Sequence, residues 1–466
     1  EIKKKILLIN PPWYKEKDNI WSGILSIIPP IGLACIASYL EQYGHTVKII
    51  DMNAENISIE SLKNNNSFND YDFIGITAST PLINKAYKII EIIKAQINDK
   101  TKIILGGVHP SVLPEEAFEK SKIDYVIRGE GEQTFIEIVE GKKLSQIKGL
   151  SFKEKGVLIH NSNRELIKNL DELPLPAYHL LPMGKYRPAL GAYRQLPGIG
   201  IITSRGCPGN CSFCFNIFGR SIRTRSSDSV MDEILLLYNT YKIREIAFYD
   251  DTFTVNKQRV IEICKKIIEN KLKITWSCFA RVDFIDEKIL YYMKKAGCHQ
   301  IMYGIESVSQ EILDKINKKI NKEKIINAVK ISQKSGIHVR AAFMIGNPEE
   351  TEKTIEESFE FAKELHPDLV VYNITTPYPG TKMYDWAEEN GYLLTKDWEF
   401  YDLAHPVMNL PSISSEKIHQ IYKTIFIRFY LRPSYLIRKL FNFSSFLDIK
   451  ISLQALLIII NLYFKK

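Results

Sequence analysis

Strand-like and helix-like hydrophobic patterns alternate along most of the chain. In the first region, about residues 1–145, short apolar runs such as Ile6–Ile9 and Phe73–Thr77 are separated by stretches with apolar side chains at helical spacing, such as Asn84–Ile97. Alternating strands and helices indicate βαβ units, so this region is predicted to be a doubly wound α/β domain around a parallel sheet. The other predicted strands are Val47–Ile50, Ile103–Leu105 and Tyr125–Ile127, and the other predicted helices are Gly32–Gln42 and Glu132–Glu140.

A second region, about residues 197–380, contains six strand-then-helix units in succession. Consecutive βα units without a reversal indicate a partial (β/α)6, TIM-like barrel, whose ligands meet the loops that follow the strands. Residues 146–196 are predicted to be a linker, which includes the proline-rich Leu173–Pro182. Residues 381–466 are predicted to be helical and amphipathic. The predicted barrel strands are Gly200–Thr203, Glu245–Tyr249, Thr275–Phe279, Gln300–Tyr303, Val339–Met344 and Leu369–Ile374.

The positive charge of the chain is confined to its end. The 466 residues carry 62 basic and 54 acidic side chains, a net charge of +8. Lys417–Lys466 holds nine basic residues and one acidic residue, Asp448, so Glu1–Glu416 is neutral with 53 of each sign. A nucleic-acid enzyme more often carries a basic groove on its body, so no nucleic-acid partner is expected.

Three of the seven cysteines crowd into one loop. Cys207, Cys211 and Cys214 follow the first barrel strand in a C-x3-C-x2-C pattern. Thiolates favour zinc or an iron–sulfur cluster. A structural zinc site needs four closed ligands, and no fourth Cys or His stands at finger-like spacing. Three thiolates on a 4Fe–4S cluster leave one iron open to a small molecule. A zinc knuckle with a distant ligand and three unrelated buried thiols are the alternatives.

The cysteine loop, in this place in the barrel, resembles that of the radical SAM superfamily. In that family the open iron chelates the amino and carboxylate groups of S-adenosylmethionine (SAM). The resemblance implies that Cys207, Cys211 and Cys214 bind the cluster and that Phe213 lies beside the adenine.

Further strand-end segments resemble the family's SAM-binding motifs, namely Phe248–Phe253, Tyr303–Ser307 and Phe343–Glu349. Helix capping would equally explain the carboxylates among the implied residues, and pairing with Asp283 or Asp286 would explain the arginine. The SAM contacts that the resemblance implies are Asp250, Asp251, Arg281, Gly304, Glu306, Ser307 and Ile345.

Combined with such a barrel, the first region resembles the Rossmann-like cobalamin-binding domain of the cobalamin-dependent radical SAM enzymes. The similar segments are Asn10–Pro12, Ile28–Leu33, Gly75–Ser79, Gly106–Pro110 and Gly129–Glu132. The cobalamin contacts that the resemblance implies are Asn10, Pro11, Pro30, Gly32, Asp51, Thr77, Ser79, Gly106, Gly107, His109, Gly129 and Glu130.

One loop departs from the cobalamin domains of the methionine synthase type. Their D-x-H-x-x-G loop supplies a cobalt-binding His, but Asn53 stands at that position here and Asn56 replaces the Gly. A histidine-ligated cobalamin is therefore not expected, and the lower axial position is predicted to be empty or filled by water. His109 precedes a proline, and hydrogen bonding is the more common role of such a loop histidine. A sheet that binds no cofactor is the alternative. A nicotinamide site is disfavoured because no G-x-G-x-x-G follows the first strand.

The two resemblances together imply radical chemistry at an unactivated centre. In the family's route a 5′-deoxyadenosyl radical removes hydrogen from the substrate, and methylcobalamin, regenerated by a second SAM, supplies a methyl group. We therefore expect a methyltransferase that moves a methyl group from SAM to an unactivated carbon or phosphorus centre, with no obligatory protein base. The first alternative is a cobalamin-containing radical SAM cyclase or rearrangement enzyme that does not methylate, similar to the anaerobic magnesium-protoporphyrin ester cyclase. A sensor without turnover is the second.

The implied partners are a small-molecule, peptide or lipid substrate and an electron donor such as flavodoxin or ferredoxin. No signal peptide pattern is visible, so a cytoplasmic location is expected. The apolar stretch Ile451–Phe464 is too short to span a bilayer. The basic tail predicts either a helical cap on the barrel or peripheral contact with the inner membrane surface. Candidate substrate contacts are Tyr193, Arg194, Tyr372, Asn373, Tyr378 and Trp398.

Overall fold

The first sheet consists of five parallel strands and an antiparallel hairpin. The structure, a computed structural model, describes residues 3–13, 26–64, 67–441, 449, 450, 453, 454 and 457. The strands are β1 (Lys5–Asn10), β2 (Thr46–Asp51), β3 (Phe73–Thr77), β4 (Lys102–Gly106), β5 (Tyr125–Ile127), β6 (Leu150–Glu154) and β7 (Val157–His160). They lie in the order β2-β1-β3-β4-β5-β6-β7, so the strand order reverses beside β1, as in doubly wound folds. The connecting helices are α1 (Ile31–Gln42), α2 (Met52–Glu55), α3 (Ile83–Lys94), α4 (Val108–Val112), α5 (Pro114–Lys120) and α6 (Glu132–Val139).

The hairpin of β6 and β7 lies inside the segment that we predicted to be a linker. β6 pairs with β5, where Leu150 lies opposite Ile127, and β7 pairs with β6. The two strands are joined at Lys155 and Gly156, which both have positive φ and so form the tight turn that a hairpin favours. The linker prediction is therefore wrong for residues 150–160, because apolar runs on both sides of this turn extend the sheet of the first domain.

The second sheet is the predicted partial barrel. Its six parallel strands lie in the order β15-β14-β13-β12-β11-β8. The strands are β8 (Gly198–Ile201), β11 (Glu245–Phe248), β12 (Thr275–Ala280), β13 (Cys298–Glu306), β14 (His338–Ile345) and β15 (Leu369–Ile374), and a small antiparallel pair is formed by β9 (Ser204–Arg205) and β10 (Arg223–Thr224). The helices are α7 (Ser227–Asn239), α8 (Lys257–Glu269), α9 (Glu287–Lys295), α10 (Gln310–Lys315), α11 (Lys322–Lys334), α12 (Glu352–Leu365) and α13 (Lys382–Glu389). The predicted fold class is confirmed in both domains.

The chain before β8 closes the base of the barrel. Gln300 on β13 donates its side-chain N–H to the carbonyl of Gly191 at 3.1 Å. The guanidinium of Arg194 lies 3.0 Å from Nε2 of His338 on β14, and the N–H of Arg194 donates to Oε2 of the buried Glu245 at 3.0 Å. These contacts hold residues 191–194 across the amino-terminal end of the strands. The lumen above them therefore opens toward the carboxyl ends of the strands.

The carboxyl ends of the two sheets face each other. Gly380, in the loop after β15, is flanked by both: a Cβ at this position would lie 2.7 Å from Cγ1 of Val112 on α4 and 3.1 Å from Cε2 of Phe215. Val112 follows β4 of the first sheet, and Phe215 is adjacent to Cys214. The edge of the first sheet that was predicted to hold a cofactor therefore lies over the cysteine loop.

The described part of the basic tail packs on the barrel. It forms α14 (Ser415–Tyr430) and α15 (Pro433–Phe441). The hydroxyl of Tyr430 donates to the carbonyl of Val370 on β15 at 2.7 Å, and the guanidinium of Arg438 donates to the carbonyl of His366 at 2.5 Å. These bonds agree with a helical cap up to residue 441. Most of the apolar stretch from 453 to 464 lies outside the described residues. Among the residues that are described, no helix has the length and hydropathy needed to cross a membrane.

Candidate functional site

The three clustered cysteines lie in the loop between β9 and β10. The loop begins at Gly206, whose φ is 98° and where a Cβ would lie 2.5 Å from the carbonyl of Ser221, so glycine is required. The N–H of Cys207 donates to the carbonyl of Gly219 at 3.3 Å, and the Asn216 side chain donates to the carbonyl of Cys207 at 3.1 Å. Backbone hydrogen bonds thus fix the loop before any ligand binds.

The thiols of this loop share one environment. A Cβ on Gly209 would lie 3.3 Å from Sγ of Cys207 and 3.9 Å from Sγ of Cys211, and the Gly209 N–H donates to Sγ of Cys207 at 3.4 Å. Burial, together with the charges of Cys211 and Cys207, raises the pKa of Cys214 to about 11. Burial and the neighbouring thiols both disfavour the thiolate form of Cys214, and the positive charge of a bound metal cluster would favour it.

Three thiols gathered in one loop suit an iron–sulfur cluster. Across the described part of the chain, no three His, Cys, Asp or Glu side chains converge as ligands of one metal ion. An iron–sulfur cluster does not need such convergence, since each thiolate binds a different iron. The gathered thiols and the N–H donor to sulfur are the features on which the fit rests.

Asp250 binds the segment that leads into the cysteine loop. It is fully buried; Oδ1 accepts the N–H of Thr203, and Oδ2 accepts the hydroxyls of Thr203 and Ser204, each at 2.6 Å. These bonds involve both oxygens and give Asp250 a positioning role, and its contact with SAM stays a prediction. Asp251 follows it, and loss of water around the carboxyl group, together with the Asp250 carboxylate, raises the pKa of Asp251.

Glu306 projects into the site at a distorted strand end. The register of β13 shifts between Gly304 and Glu306, and Glu306 has a φ of 67°, which is rare for a residue with a side chain. Its Oε1 lies 2.8 Å from Nζ of Lys318, and both residues are buried. Gly304 makes room for this pair, because a Cβ there would lie 2.5 Å from Oε1 and 3.0 Å from Nζ.

Lys318 was not anticipated from the sequence. Although burial opposes its charge, the Glu306 carboxylate raises the pKa of Lys318 above its ordinary value. Its Nζ lies 5.9 Å from the centroid of the Phe213 ring, and its charge also favours the thiolate of Cys211. Lys318 follows α10 in a polar turn that contains other lysines. The sequence therefore does not distinguish it from lysines that are exposed to solvent.

Arg281 reaches the cysteine loop while it is paired. Its Nε and Nη2 donate to Asp283 at 3.0 and 2.9 Å, which is one of the two pairings that the sequence left open. Nη2 also donates to the carbonyl of Lys318 at 3.1 Å. Nη1 lies 3.3 Å from the Cβ position of Gly209, so one end of the guanidinium faces the thiols.

Two other predicted SAM residues contribute differently. Ser307 is buried against α12, with its hydroxyl 3.3 Å from that of Ser358, so its side chain points away from the cysteine loop. Ile345 ends β14, and its carbonyl accepts the N–H of Thr375 at 2.8 Å. The loop that follows is held by Glu350, whose Oε2 accepts the N–H groups of Gly346 and Asn347 at 2.6 and 3.0 Å.

The opposite edge, in the first domain, is organised by Asp51. Oδ1 accepts the side-chain N–H of Asn10 at 2.9 Å and the N–H groups of Asn53 and Ala54 at 3.2 Å each. Oδ2 accepts the hydroxyl of Tyr186, a residue that the sequence analysis missed, at 2.9 Å. The carbonyl of the Asn53 side chain accepts the N–H of Trp13 at 3.3 Å. Asp51 is fully buried, so it supports the loops of this edge from beneath.

The loops after β3 and β4 touch each other. Gly107 has a φ of 104°, and a Cβ there would lie 2.6 Å from the carbonyl of Ala78 and 2.9 Å from Oγ1 of Thr77. His109 is buried, with Nε2 3.4 Å from Glu116 and its ring 5.1 Å from that of Trp398. Its Nδ1 lies 3.3 Å from Oγ1 of Thr80, which agrees with the expectation that His109 is a hydrogen-bonding residue.

Glu130 of the first domain forms ion pairs with arginines of the barrel domain. Its carboxylate is buried and lies 2.8 Å from Nη1 of Arg205 and 2.9 Å from Nη1 of Arg223, and it accepts the N–H of Ile167 at 2.7 Å. These bonds give the Glu130 side chain a positioning role between the domains, and its contact with cobalamin stays a prediction.

The rest of the edge is open and partly apolar. A Cβ at Gly32 or Gly129 would meet no atom of a described residue within 4 Å. Ile28 and Val108 are 46% and 38% exposed here, so apolar side chains face this space. The other predicted residues lie at the same edge or at the start of α1, namely Pro11, Pro30, Ser79 and Gly106. Open glycines and exposed apolar side chains fit a large, flat cofactor.

Comparison with known proteins agrees with this geometry. Residues 23–139 match the B12 binding domain family, and residues 201–362 match the Radical SAM superfamily. A protein of Pyrococcus horikoshii, named an uncharacterized methyltransferase, is 41% identical over 97% of this chain and 98% of its own length.

The chain belongs to the cobalamin-dependent radical SAM enzymes.

Other members of this family are more distant. The anaerobic magnesium-protoporphyrin IX monomethyl ester cyclase of Rubrivivax gelatinosus is 28% identical over 93% of this chain and 78% of its own length. The cobalamin-dependent SAM radical enzyme OxsB, solved with aqua-cobalamin and SAM, has the same fold, with a TM-score of 0.73, 21% identity and coverage of 97% of this chain and 70% of OxsB.

As a cobalamin-dependent radical SAM enzyme, the protein uses a 4Fe–4S cluster, SAM and cobalamin. The residues present fit these groups: the gathered thiols fit the cluster, and the open edge of the first sheet fits cobalamin. Because the two edges face each other across Gly380, the groups would share one space.

Proposed function

We propose that the protein is a methyltransferase that moves a methyl group from SAM by way of cobalamin to an unactivated carbon or phosphorus centre. One observation carries the proposal: the cysteine loop faces the carboxyl edge of the first sheet, here called the cobalamin edge, across Gly380. The lumen of the barrel opens toward the same space. The similarity to a protein of Pyrococcus horikoshii that is named a methyltransferase supports it.

In this proposal the protein's side chains bind the cofactors and orient them. Cys207, Cys211 and Cys214 would hold the cluster, which together with SAM and cobalamin supplies the radical and the methyl group. Lys318 places a buried ammonium group beside Phe213, where it can meet the carboxylate of SAM. Glu306 keeps that ammonium group charged.

Burial explains why such chemistry would be protected. The site lies between two domains. A substrate that enters it therefore loses contact with water and gains contact with protein. The closed base of the barrel removes a second route for water. A reactive species formed in this space would meet the substrate before it met solvent. Reduction requires a small one-electron donor such as flavodoxin or ferredoxin.

Product analysis tests the proposal. The protein is reconstituted anaerobically with iron, sulfide, cobalamin, SAM and a reductant, and incubated with candidate substrates. Methyl transfer yields S-adenosylhomocysteine and 5′-deoxyadenosine in comparable amounts together with a product heavier by one methylene. Deoxyadenosine formed with substrate but never with S-adenosylhomocysteine contradicts methyl transfer and favours the second candidate, a cyclase or rearrangement enzyme, to which the Rubrivivax relative points.

Cysteine variants provide the control. Alanine at Cys207, Cys211 and Cys214 should abolish both iron binding and product formation. Cys264→Ala, which removes a buried thiol on α8, should keep the iron content of the wild type. Retained cluster absorbance in the triple variant contradicts the assignment of the ligands.

A further inference from the structure

Arg340 lies on the lumen face of the barrel. In the register of the sheet, Tyr303, Ala341 and Val370 are neighbours. Tyr303 points to the surrounding helices, because its hydroxyl lies 2.8 Å from that of Ser332 on α11. Side chains alternate along a strand, so Arg340, one residue before Ala341, points to the opposite, concave face.

No acidic side chain among the described residues pairs with the guanidinium of Arg340. It makes no hydrogen bond and no ion pair with any residue that the structure describes. Burial lowers the pKa of Arg340, and the described groups that favour its charge are the phenols of Tyr249 and Tyr430. Other arginines around the lumen differ: Arg281 has Asp283 as a partner.

An unpaired guanidinium within a protein is costly. Removal of water from a charged group is unfavourable unless an opposite charge or a full set of hydrogen bonds replaces it. Arginine keeps its charge in such a place, and its planar fork matches the oxygens of a carboxylate or a phosphate. Arg340 therefore has the chemistry of a site for an anion.

Apolar and aromatic side chains surround Arg340 on the lumen face. Met302 on β13 and Leu369 on β15 are the strand neighbours of Arg340 on the same face. The ring of Tyr249 is tilted by 32° against that of Phe279, with 5.5 Å between the centroids, and a Cβ on Gly200 would overlap this tyrosine ring. Aromatic and aliphatic groups thus line the lumen next to one cation.

Arg340 is separate from the residues that face the cysteines. It lies near the start of β14, five residues before Ile345 at the carboxyl end of the strand. Below it, a Cβ on Gly191 would lie 3.1 Å from Cδ1 of Leu369, so the closed base of the barrel is next to it. A group bound by Arg340 would therefore lie deep in the lumen.

We propose that Arg340 binds an oxyanion group of the substrate, either a carboxylate or a phosphoryl group, at the inner end of the lumen. The substrate is then an amphipathic acid whose apolar part lies along Met302 and Phe279 and whose reacting atom lies nearer the cysteine loop. The inference rests on the proposed function, since it assumes that the substrate enters the lumen.

Small probes test the anion site in the reconstituted holoenzyme. Phenylphosphonate and benzoate present the two oxyanions on an apolar ring, and benzamide is the neutral analogue. Calorimetric titration should show saturable binding of at least one anion, at least tenfold tighter than benzamide. Arg340→Met should weaken that binding at least tenfold, and Arg340→Lys should weaken it less, because lysine keeps the charge but loses the fork. Which anion binds more tightly separates a phosphoryl from a carboxylate substrate.

A matched variant and a second readout keep the outcome clear. Arg428→Met removes a guanidinium that pairs with Glu356 on the outer surface, and anion binding should not change. Equal binding of anions by the wild type and Arg340→Met, no preference over benzamide, or no binding of any probe overturns the inference. SAM binding and cobalamin absorbance are measured in every variant. Their absence in the wild type contradicts the proposed function, whereas normal values without anion preference contradict the anion site alone.

Discussion

Arg205 of the barrel forms an ion pair with Glu130 of the first domain, with 2.8 Å between Nη1 and Oε1. Its Nη2 lies 2.6 Å from Oε1 of Glu132 at the start of α6. Arg205 stands two residues before Cys207, so one side chain ties the cysteine loop to the cobalamin edge. All three side chains are largely buried, where loss of one partner leaves an uncompensated charge.

Glu130→Gln together with Glu132→Gln should weaken the contact of Arg205 with the first domain. Breaking a buried pair typically costs about 3–5 kcal/mol, so the free energy of unfolding should fall and cobalamin should bind more weakly to the cluster-loaded protein. Denaturant unfolding and cobalamin titration measure the two effects. Glu165→Gln, which removes an exposed partner of Lys148, should change the stability by less than about 1 kcal/mol. Equal effects of the two changes would argue against a special role for Arg205.

Lys318→Met should weaken SAM binding and leave Glu306 buried without a partner. The unpaired carboxylate should also destabilise the fold. Adding Glu306→Gln should restore part of the stability, because the charge is gone, but not the affinity for SAM. Equilibrium binding of SAM to the cluster-loaded protein separates the two effects.

Lys315→Met is the control, since Lys315 forms an exposed ion pair with Glu349 at 2.5 Å and should be dispensable. If the double variant regains SAM affinity along with stability, Lys318 acts only on the fold.

Glu350→Gln should change how stability depends on pH. Burial raises the pKa of Glu350 to about 7 from the ordinary 4.5. Because the folded state holds this proton to a higher pH than the unfolded state, stability falls as the pH rises from about 4.5 to about 7. The decline amounts to about 3 kcal/mol for this group.

Denaturant unfolding at a series of pH values from 5 to 8 measures this effect. The glutamine variant should lack the decline, and the neighbouring Glu349→Gln, which removes an exposed carboxylate, should keep it. Parallel profiles of the wild type and Glu350→Gln would be inconsistent with a protonated Glu350.

Any binding of the tail to membranes should reside beyond residue 441. The arginines of α14 and α15 are occupied by the barrel, as with Arg438 and the carbonyl of His366. A chain that ends at Phe441 should therefore remain in the supernatant when it is sedimented with anionic vesicles, while the full chain pellets. Equal behaviour of the two chains removes the case for membrane contact.

Hydrophobic periodicity predicted the fold closely because buried parallel strands are continuous apolar runs. All six barrel strands were placed within a few residues. Spacing singled out Cys207, Cys211 and Cys214, which lie in one loop of the structure, and their binding of the cluster stays a prediction. The hairpin of β6 and β7 was missed because its two-residue turn lies in a stretch interpreted as a linker. Lys318 and Tyr186 were missed because the pairings with Glu306 and Asp51 bring together residues whose contacts depend on tertiary structure. Glu130 and Asp250 were correctly placed at strand ends, but sequence could not show that other side chains occupy their oxygens.

The closed base fixes the depth of the barrel lumen. A strand rises about 3.3 Å per residue, so the backbone of Arg340 lies roughly 16 Å below that of Ile345 on the same strand. Residues 191–194 stop any molecule from sliding further down. The number of bonds between an anchored end and the atom brought to the mouth is therefore set by protein geometry. Regioselectivity in such an enzyme would follow from length, and lengthening or shortening the substrate by one carbon should move the site of reaction along the chain.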